Sequence, residues 1–189
     1  FRANKNGKYG FKVLVKNKDS EKEFEKQYEF SVDVYDARAP EAYLKLDNTK
    51  PTNKKVNILV EAYDTSGDIR SIKLPNGSII NNSKTSYPVN SNGVYNFEFE
   101  DMVGNVLKKS ITVKNIDLVL PQITLKPSTL SLTKNEIKVV ATATDNVGVK
   151  SIKLPNGTMV NGATASFPIS KNGTYTFTVL DTAGNSVSK

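Results

Sequence analysis

The sequence contains no cysteine, no histidine and no tryptophan. Without cysteine there is no disulfide framework and no thiolate nucleophile, and without histidine there is no imidazole base. A zinc site built from cysteine and histidine ligands is excluded for the same reason. The folded chain must therefore take its stability from a hydrophobic core. The missing cysteine does not by itself settle the cellular compartment.

Long hydrophobic runs are also missing. No stretch approaches the roughly 20 apolar residues of a membrane helix, and the start lacks the basic-then-apolar pattern of a signal peptide. We expect no direct insertion into a membrane, and we interpret the chain, which opens at Phe1-Arg2-Ala3, as a fragment of a longer protein. Hydrophobic residues still make up 38% of the 189 residues, which is enough to bury a core.

Arginine is scarce, although the net charge is +7. Basic and acidic residues number 9 and 7 in 1–38, 10 and 9 in 39–117, and 7 and 3 in 118–189. A nucleic-acid-binding protein usually concentrates lysine and arginine on one face, with arginine prominent. The interleaved charges instead predict a solvated, lysine-rich surface and no nucleic-acid partner.

The sequence does contain an internal repeat, the feature to look for first. The segment Ser71–Gly77, SIKLPNG, recurs unchanged 80 positions later at Ser151–Gly157. At this offset residues 71–105 match residues 151–185 at 17 of 35 positions, and further upstream the offset becomes 81. The chain is therefore built from a repeated module of about 80 residues.

The repeat predicts three segments. Residues 1–38 are interpreted as the C-terminal strands of a preceding module, because Asn6–Phe11 has the Asn-Gly-x-Tyr-x-Phe spacing of both later copies. We expect two strands there, joined by a long, charged loop that includes Glu21–Lys26. Residues 39–117 form one full module, and residues 118–189 form another that lacks most of its last strand.

The short last strand would leave an open sheet edge, which natural proteins usually cover. We interpret the short strand as the result of truncation. The alternative is that residues 1–35 of a neighbouring molecule fill the gap by strand addition.

The hydrophobic periodicity within each module is two, which predicts β-strands. Apolar residues alternate with more polar ones over Val56–Ala62 and Ile137–Ala143, and aromatic residues alternate over Tyr95–Phe99. Asn-Gly and Pro-Asn-Gly signals separate these runs, and glycine suits turn positions that need φ > 0. About seven short strands in about 80 residues predict an all-β, antiparallel sandwich.

The motifs SIKLPNG and NGTYTFTVLDTAGN, which ends at Asn185, resemble the bacterial immunoglobulin-like repeats of Gram-positive surface proteins. The resemblance covers both full modules and, through Asn6–Val13, the partial one. It departs from antibody-type domains, whose core contains cysteine and tryptophan. It implies tandem immunoglobulin-like antiparallel β-sandwiches of about seven strands each, secreted or displayed on the surface or wall of a Gram-positive cell. It implies no shared ligand.

This architecture favours a structural spacer or stalk in an extracellular protein, monomeric within an elongated multi-domain chain and without catalysis. The alternatives are an adhesin module that binds a host matrix protein or a cell-wall polysaccharide, and an accessory domain of a secreted carbohydrate-active enzyme. Carboxylate-pair catalysis is disfavoured, since residues 118–189 contain only Glu136, Asp145 and Asp181 as acids. No set of Lys, Asn and acid that could form an isopeptide cross-link recurs. We assign no catalytic residue.

The sequence Asp101-x-x-Gly104-Asn105 recurs at Asp181 and Asn185, between the last two predicted strands. Aspartate and asparagine side chains bond the backbone of their own turns, and glycine supplies the unusual dihedral angle. We interpret both copies as turns. The match to an EF-hand loop is poor, because its alternating oxygen ligands and terminal glutamate are missing.

Four further aspartates stand where modules are expected to meet: Asp36 and Asp117 in the linkers, and Asp64 and Asp145 at strand ends. Clustered carboxylates at a junction between two modules could bind calcium and stiffen an elongated chain of modules. Arg38 and the apolar segment Leu118–Leu120 argue instead that the linkers pack. The sequence therefore assigns no metal ligand and no cofactor, with calcium at the junctions as the alternative.

The identical segments around Lys73 and Lys153 are the best candidates for a shared surface. We interpret each as a strand with Ile72 or its copy facing inward. We interpret the lysines as charges that keep an exposed edge strand from pairing with another chain. Tyr87 and Phe167 are expected in the core or at a sheet edge and not as a sugar-stacking platform. No binding residue is assigned.

Overall fold

The computed structural model describes residues 5–20, 22–33, 35–65 and 67–189. Within these ranges every regular element is a β-strand, and the strands form several small sheets. The prediction of an all-β fold is confirmed. The described ranges contain no helix of the length and hydropathy that a membrane span requires.

The N-terminal segment is a hairpin of two antiparallel strands, β1 (Gly7–Lys16) and β2 (Glu23–Val32). Both expected strands are present, but the expected long, charged loop is wrong. Most of the charged run lies in β2, where Lys16 pairs with Glu23 and Lys12 forms an ion pair with Glu25. Glu21, the first residue of that run, lies outside the described residues.

One face of the hairpin is aromatic. The cross-strand pairs Tyr9–Phe30 and Phe11–Tyr28 stack with ring centroids 5.7 and 5.3 Å apart. Phe11 is 52% exposed. The hairpin therefore leaves much of this face open to solvent.

The first full repeat has seven strands in two sheets, ordered β3-β4-β7 and β6-β5-β8-β9. They are β3 (Glu41–Leu46), β4 (Val56–Tyr63), β5 (Ile69–Lys73), β6 (Ile79–Ile80), β7 (Lys84–Val89), β8 (Gly93–Asp101) and β9 (Val106–Val113). The predicted alternation is confirmed, because Val56, Ile58, Val60 and Ala62 are all buried.

The second full repeat has the same two sheets, ordered β10-β11-β14 and β13-β12-β15-β16. Its strands are β10 (Gln122–Pro127), β11 (Ile137–Thr144), β12 (Val149–Lys153), β13 (Met159–Asn161), β14 (Thr164–Ile169), β15 (Thr178–Asp181) and β16 (Ser186–Ser188). A core cluster draws side chains from both sheets, including Val139, Ala141, Ile152 and Val179, and it also contains Phe177, the residue before β15. Phe167 packs against this cluster, as expected.

The chain divides into two compact units. One comprises Phe1–Ala42, Glu61–Ser83 and Phe97–Lys109, and the other comprises Tyr43–Val60, Lys84–Asn96 and Ser110–Lys189. Their boundaries cut through β3, β4, β8 and β9. The module boundaries expected near residues 38 and 117 therefore stay predictions.

The structure corrects the assignment of the two lysines to edge strands. β5 lies between β6 and β8, and β12 lies between β13 and β15. After each Pro-Asn-Gly turn the chain folds back and pairs with the strand before it, so that Lys73 stands opposite Ile79 and Lys153 opposite Met159. The turn itself is as predicted, with Gly77 at φ 85°.

Candidate functional site

The turn between β8 and β9 is organised by the Asp101 carboxylate. Its Oδ1 accepts hydrogen bonds from the backbone N–H groups of Val103 (2.9 Å), Gly104 (2.7 Å) and Asn105 (2.9 Å). Gly104 adopts φ 97°, which a residue with a Cβ rarely does. The interpretation of this motif as a turn is confirmed.

The copy between β15 and β16 is built in the same way. Asp181 Oδ1 accepts the backbone N–H groups of Gly184 (2.6 Å) and Asn185 (2.7 Å), and Gly184 adopts φ 100°. The Asn185 side chain is buried, and its Nδ2 donates to Asp181 Oδ2 (2.7 Å) and to the backbone oxygen of Asp117 (3.0 Å). This amide therefore ties the linker to the turn, a role that the sequence did not indicate.

Asn105 makes the equivalent contacts in the first repeat. Its Nδ2 donates to Asp101 Oδ2 at 2.8 Å and to the backbone oxygen of Asp36 at 3.5 Å. The same connection between linker and turn therefore occurs in both copies, with a longer bond to the linker in the first.

Each turn aspartate lies beside two others. Two groups of three carboxylates occur among the described residues: Asp36, Asp64 and Asp101, and Asp117, Asp145 and Asp181. In each group the three candidate ligand atoms lie within 4.8 Å of one another. The sequence analysis named all six residues as candidates but treated the turns and the linkers as separate sites. The sequence feature that could have linked them is that all three aspartates recur together, at offsets of 81, 81 and 80 positions.

The second group is the more deeply buried. Asp117 is 5% exposed and Asp181 is fully buried, while Asp145 is half-buried. In the first group only Asp101 is buried.

In Asp117 and in Asp145, the two oxygens of the carboxylate have different surroundings. Asp145 Oδ1 accepts the N–H groups of Val147 (3.0 Å) and Gly148 (2.8 Å), which shapes the loop after β11. Asp117 Oδ1 accepts Val119 N–H (3.1 Å) and Asn146 Nδ2 (3.2 Å). The other oxygens, Asp117 Oδ2 and Asp145 Oδ2, are buried and have no hydrogen-bond partner in the part of the chain that the structure describes.

The expectation that the apolar linker residues pack is wrong. Leu118, Val119 and Leu120 are 64%, 56% and 57% exposed. The inward positions are taken by Ile116 and Asp117, which are 7% and 5% exposed. The linker thus buries a carboxylate and leaves its apolar residues in solvent, which removes the main sequence argument against a metal ion there.

The linker is also bonded to the loop between β3 and β4. Thr52 N–H donates to Asn115 O and Asp117 N–H donates to Thr52 O, both at 2.9 Å. Thr52 and Ile116 thereby form a parallel β-bridge. Asn53, the next residue of the loop, donates its N–H to Ala183 O at 3.0 Å.

Asparagine side chains complete the attachment of the linker. Asn115 Nδ2 lies 3.0 Å from the backbone oxygens of both Asn48 and Lys50. Asn92 pairs with the backbone of Ile116, donating to its oxygen (2.7 Å) and accepting from its N–H (2.9 Å). Asn92 belongs to an Asn-Gly pair that the sequence assigned only to a turn.

Hydrogen bonding lowers the pKa of one site carboxylate. Burial alone would raise the pKa of Asp101, because it penalises the charged form. The hydrogen bonds from the Asn105 side chain and from the backbone of Asn105, Val103 and Gly104 outweigh burial and hold this pKa below its usual value. The folded state therefore binds a proton at Asp101 more weakly than the unfolded chain does.

We expect this difference to make the protein sensitive to acid. The contribution of Asp101 is complete above the unfolded pKa of about 3.9 and is lost as the pH falls through the lower folded pKa. Urea unfolding between pH 7 and pH 3 should show a loss of stability confined to the acid end, and Asp101→Asn should flatten that slope. Asp19→Asn, in the exposed hairpin loop, is the control; equal slopes in the two variants would contradict the assignment.

Comparisons with known proteins add little. No protein-family model and no curated protein matches the chain. Among solved structures, it is similar to the mixed-linkage glucan utilization locus protein SGBP-B of Bacteroides ovatus, solved in complex with a mixed-linkage heptasaccharide, at 18% identity and a TM-score of 0.24. The match covers 98% of this chain and 50% of that chain, so the sequence spans about half its length. A similarity at this level carries no argument about function.

Proposed function

We propose that the chain is a stretch of tandem immunoglobulin-like β-sandwich modules that acts as a structural spacer in an extracellular cell-surface protein. The observation that carries the proposal is the bonded linker at Asn115–Asp117. A spacer must hold each module at a fixed position relative to the next, and a linker that is free to rotate cannot do so.

The energetics favour an ordered linker. Six hydrogen bonds join its three residues to Asn92 and to the loop between β3 and β4, two between backbone groups and four through the side chains of Asn92 and Asn115. Each is worth about 0.5–1.5 kcal/mol net, or roughly 3–9 kcal/mol together. Fixing three backbone residues costs about 1–2 kcal/mol each. The bonds therefore match or exceed the entropy that ordering costs.

The sandwich part of the proposal is supported by the second repeat. Its two sheets share one apolar cluster, with Val139 and Ala141 from one sheet and Ile152 and Val179 from the other. Two antiparallel sheets that bury alternate residues against each other are the defining feature of a β-sandwich.

Loosening the linker should be measurable. Asn115→Ala removes the two bonds to Asn48 and Lys50, at an expected cost of about 1–2 kcal/mol. Hydrogen exchange at the Ile116 and Asp117 amides should then become about 5–30-fold faster. Asn135→Ala, at an exposed loop position, is the matched control and should leave these amides unchanged. Unchanged exchange in Asn115→Ala would remove the support for a rigid linker.

The function itself is tested by binding. The purified chain is applied to an array of cell-wall glycans and host matrix proteins. The spacer role predicts no saturable binding. Saturable binding to one target, competed by unlabelled chain, would instead establish the adhesin alternative and replace the spacer proposal.

A further inference from the structure

We infer that Asp117, Asp145 and Asp181 form a binding site for one calcium ion, which fastens the entering linker to the second repeat. The inference rests on the contacts of these residues and not on the spacer role. The calcium site and the spacer role can therefore be tested independently of each other.

Two buried oxygens point to a ligand. The hydrogen bonds that shape the local loops use Oδ1 of Asp117 and of Asp145. Their Oδ2 atoms are buried without a hydrogen-bond partner among the described residues. A buried polar atom without a partner is costly, and a carboxylate oxygen more so. A cation coordinated by both atoms removes this cost.

The charges lead to the same conclusion. Three carboxylates meet in one group, and two of them are at least nine-tenths buried. Across the ranges that the structure describes, no lysine or arginine forms an ion pair with any of the three. Buried charges are normally paired or bound to a metal, because removing a charge from water costs several kcal/mol. A divalent cation supplies the missing positive charge.

The spacing of the group suits calcium. Calcium takes oxygen ligands at about 2.3–2.6 Å, so that two ligands on opposite sides of one ion are about 5 Å apart. The three candidate ligand atoms lie within 4.8 Å of one another. Magnesium requires near-ideal octahedral geometry, keeps several waters and usually takes only one or two carboxylates. Three carboxylates, from the linker, the loop after β11 and the end of β15, therefore fit calcium better.

The equivalent group in the first repeat contains the same three aspartates, but Asp36 and Asp64 are half-buried. Thr65 stands where the second repeat has Asn146, whose amide positions Asp117. We expect calcium to bind there more weakly.

The test begins with the unaltered 189-residue chain after EDTA treatment and dialysis. Calorimetric titration with CaCl₂ should show saturable binding with a Kd on the order of 10⁻⁴ M. At a calcium concentration 100-fold above Kd, the Tm should rise by about 5–10 °C. A tenfold excess of MgCl₂ should not displace the calcium.

Asp145→Asn is the decisive variant, because its side-chain oxygen can still accept the Val147 and Gly148 N–H groups while the charge is lost. It should weaken the tighter calcium binding at least tenfold, whereas Asp19→Asn should leave it unchanged. The double variant Asp64→Asn/Asp145→Asn should also lose the weaker binding. Circular dichroism checks the fold, and Asp117→Asn replaces Asp145→Asn if the latter does not fold.

Three results would overturn the inference. The first is that the chain shows no saturable calcium binding up to 10 mM, roughly 100 times the expected Kd. The second is that the folded variants Asp145→Asn and Asp117→Asn bind calcium as tightly as the unaltered chain, and the third is that the chain binds magnesium and calcium with equal affinity. If calcium binds and the chain also binds one target of the glycan and matrix-protein array saturably, the metal site stands and the spacer proposal fails.

Discussion

Replacing Phe177 by alanine is expected to lower the free energy of unfolding of the second repeat by about 3–5 kcal/mol. The side chain is 1% exposed and lies in the core cluster with Val179 and Ile152. It also meets Phe167 edge to face, with centroids 6.3 Å apart. Deleting the ring removes these contacts and leaves a cavity, because close-packed neighbours relax only partly.

The repeat provides a matched control for this prediction. Phe11 occupies the same motif position in the hairpin but is 52% exposed. Phe11→Ala should therefore cost less than about 1 kcal/mol. Urea unfolding followed by circular dichroism measures both variants. Equal losses would mean that the two phenylalanines are equally packed in solution and would contradict the structure.

Replacing Asn185 by alanine should cost about 2–4 kcal/mol, measured in EDTA so that no metal contributes. The side chain is 7% exposed, and its amide bonds both Asp181 Oδ2 and the backbone oxygen of Asp117. Alanine would leave two buried acceptors without this donor, at about 1–3 kcal/mol each. No charge is lost, so that the change isolates hydrogen bonding from the repulsion among the carboxylates.

Asn105→Ala is the control for Asn185→Ala. Asn105 is half-buried, and its bond to the linker is 3.5 Å long, so we expect about half the cost of Asn185→Ala. Urea unfolding at neutral pH checks both variants. A loss in Asn185→Ala no larger than in Asn105→Ala would show that the bond to Asp117 contributes nothing.

Much of the fold could be predicted because period-two alternation is a local signal. Val139, Ala141 and Ala143 are buried as their spacing indicates. The position of β5 inside its sheet could not be predicted, because it depends on the two-residue strand β6, Ile79–Ile80. So short a strand has no periodicity of its own.

The candidate site was only partly predictable, for a topological reason. Asp145 follows β11 and Asp181 is the last residue of β15, and these strands lie in different sheets. Only the packing of those sheets places the two carboxylates side by side. The sequence could show that each aspartate recurs, but not that three recurring aspartates share one position in space.

The exposure of Leu118–Leu120 was missed because composition suggested the opposite. Three apolar residues in a row normally predict burial. Here the hydrogen bonds of Ile116 and Asp117 fix the backbone of the linker, and in that conformation Leu118, Val119 and Leu120 are exposed to solvent. Hydrogen bonding by the backbone decides which residues of this linker face inward.

Each group of three carboxylates comes from one repeat together with the linker that enters it. A duplication of about 80 residues therefore copies a complete ligand set in one genetic event, and no residue outside the copied stretch has to change. If the ligands of one site came from two different repeats, each duplication or loss of a repeat would separate some ligands from the others. Such a gene can gain or lose whole repeats while each surviving copy keeps its acids together.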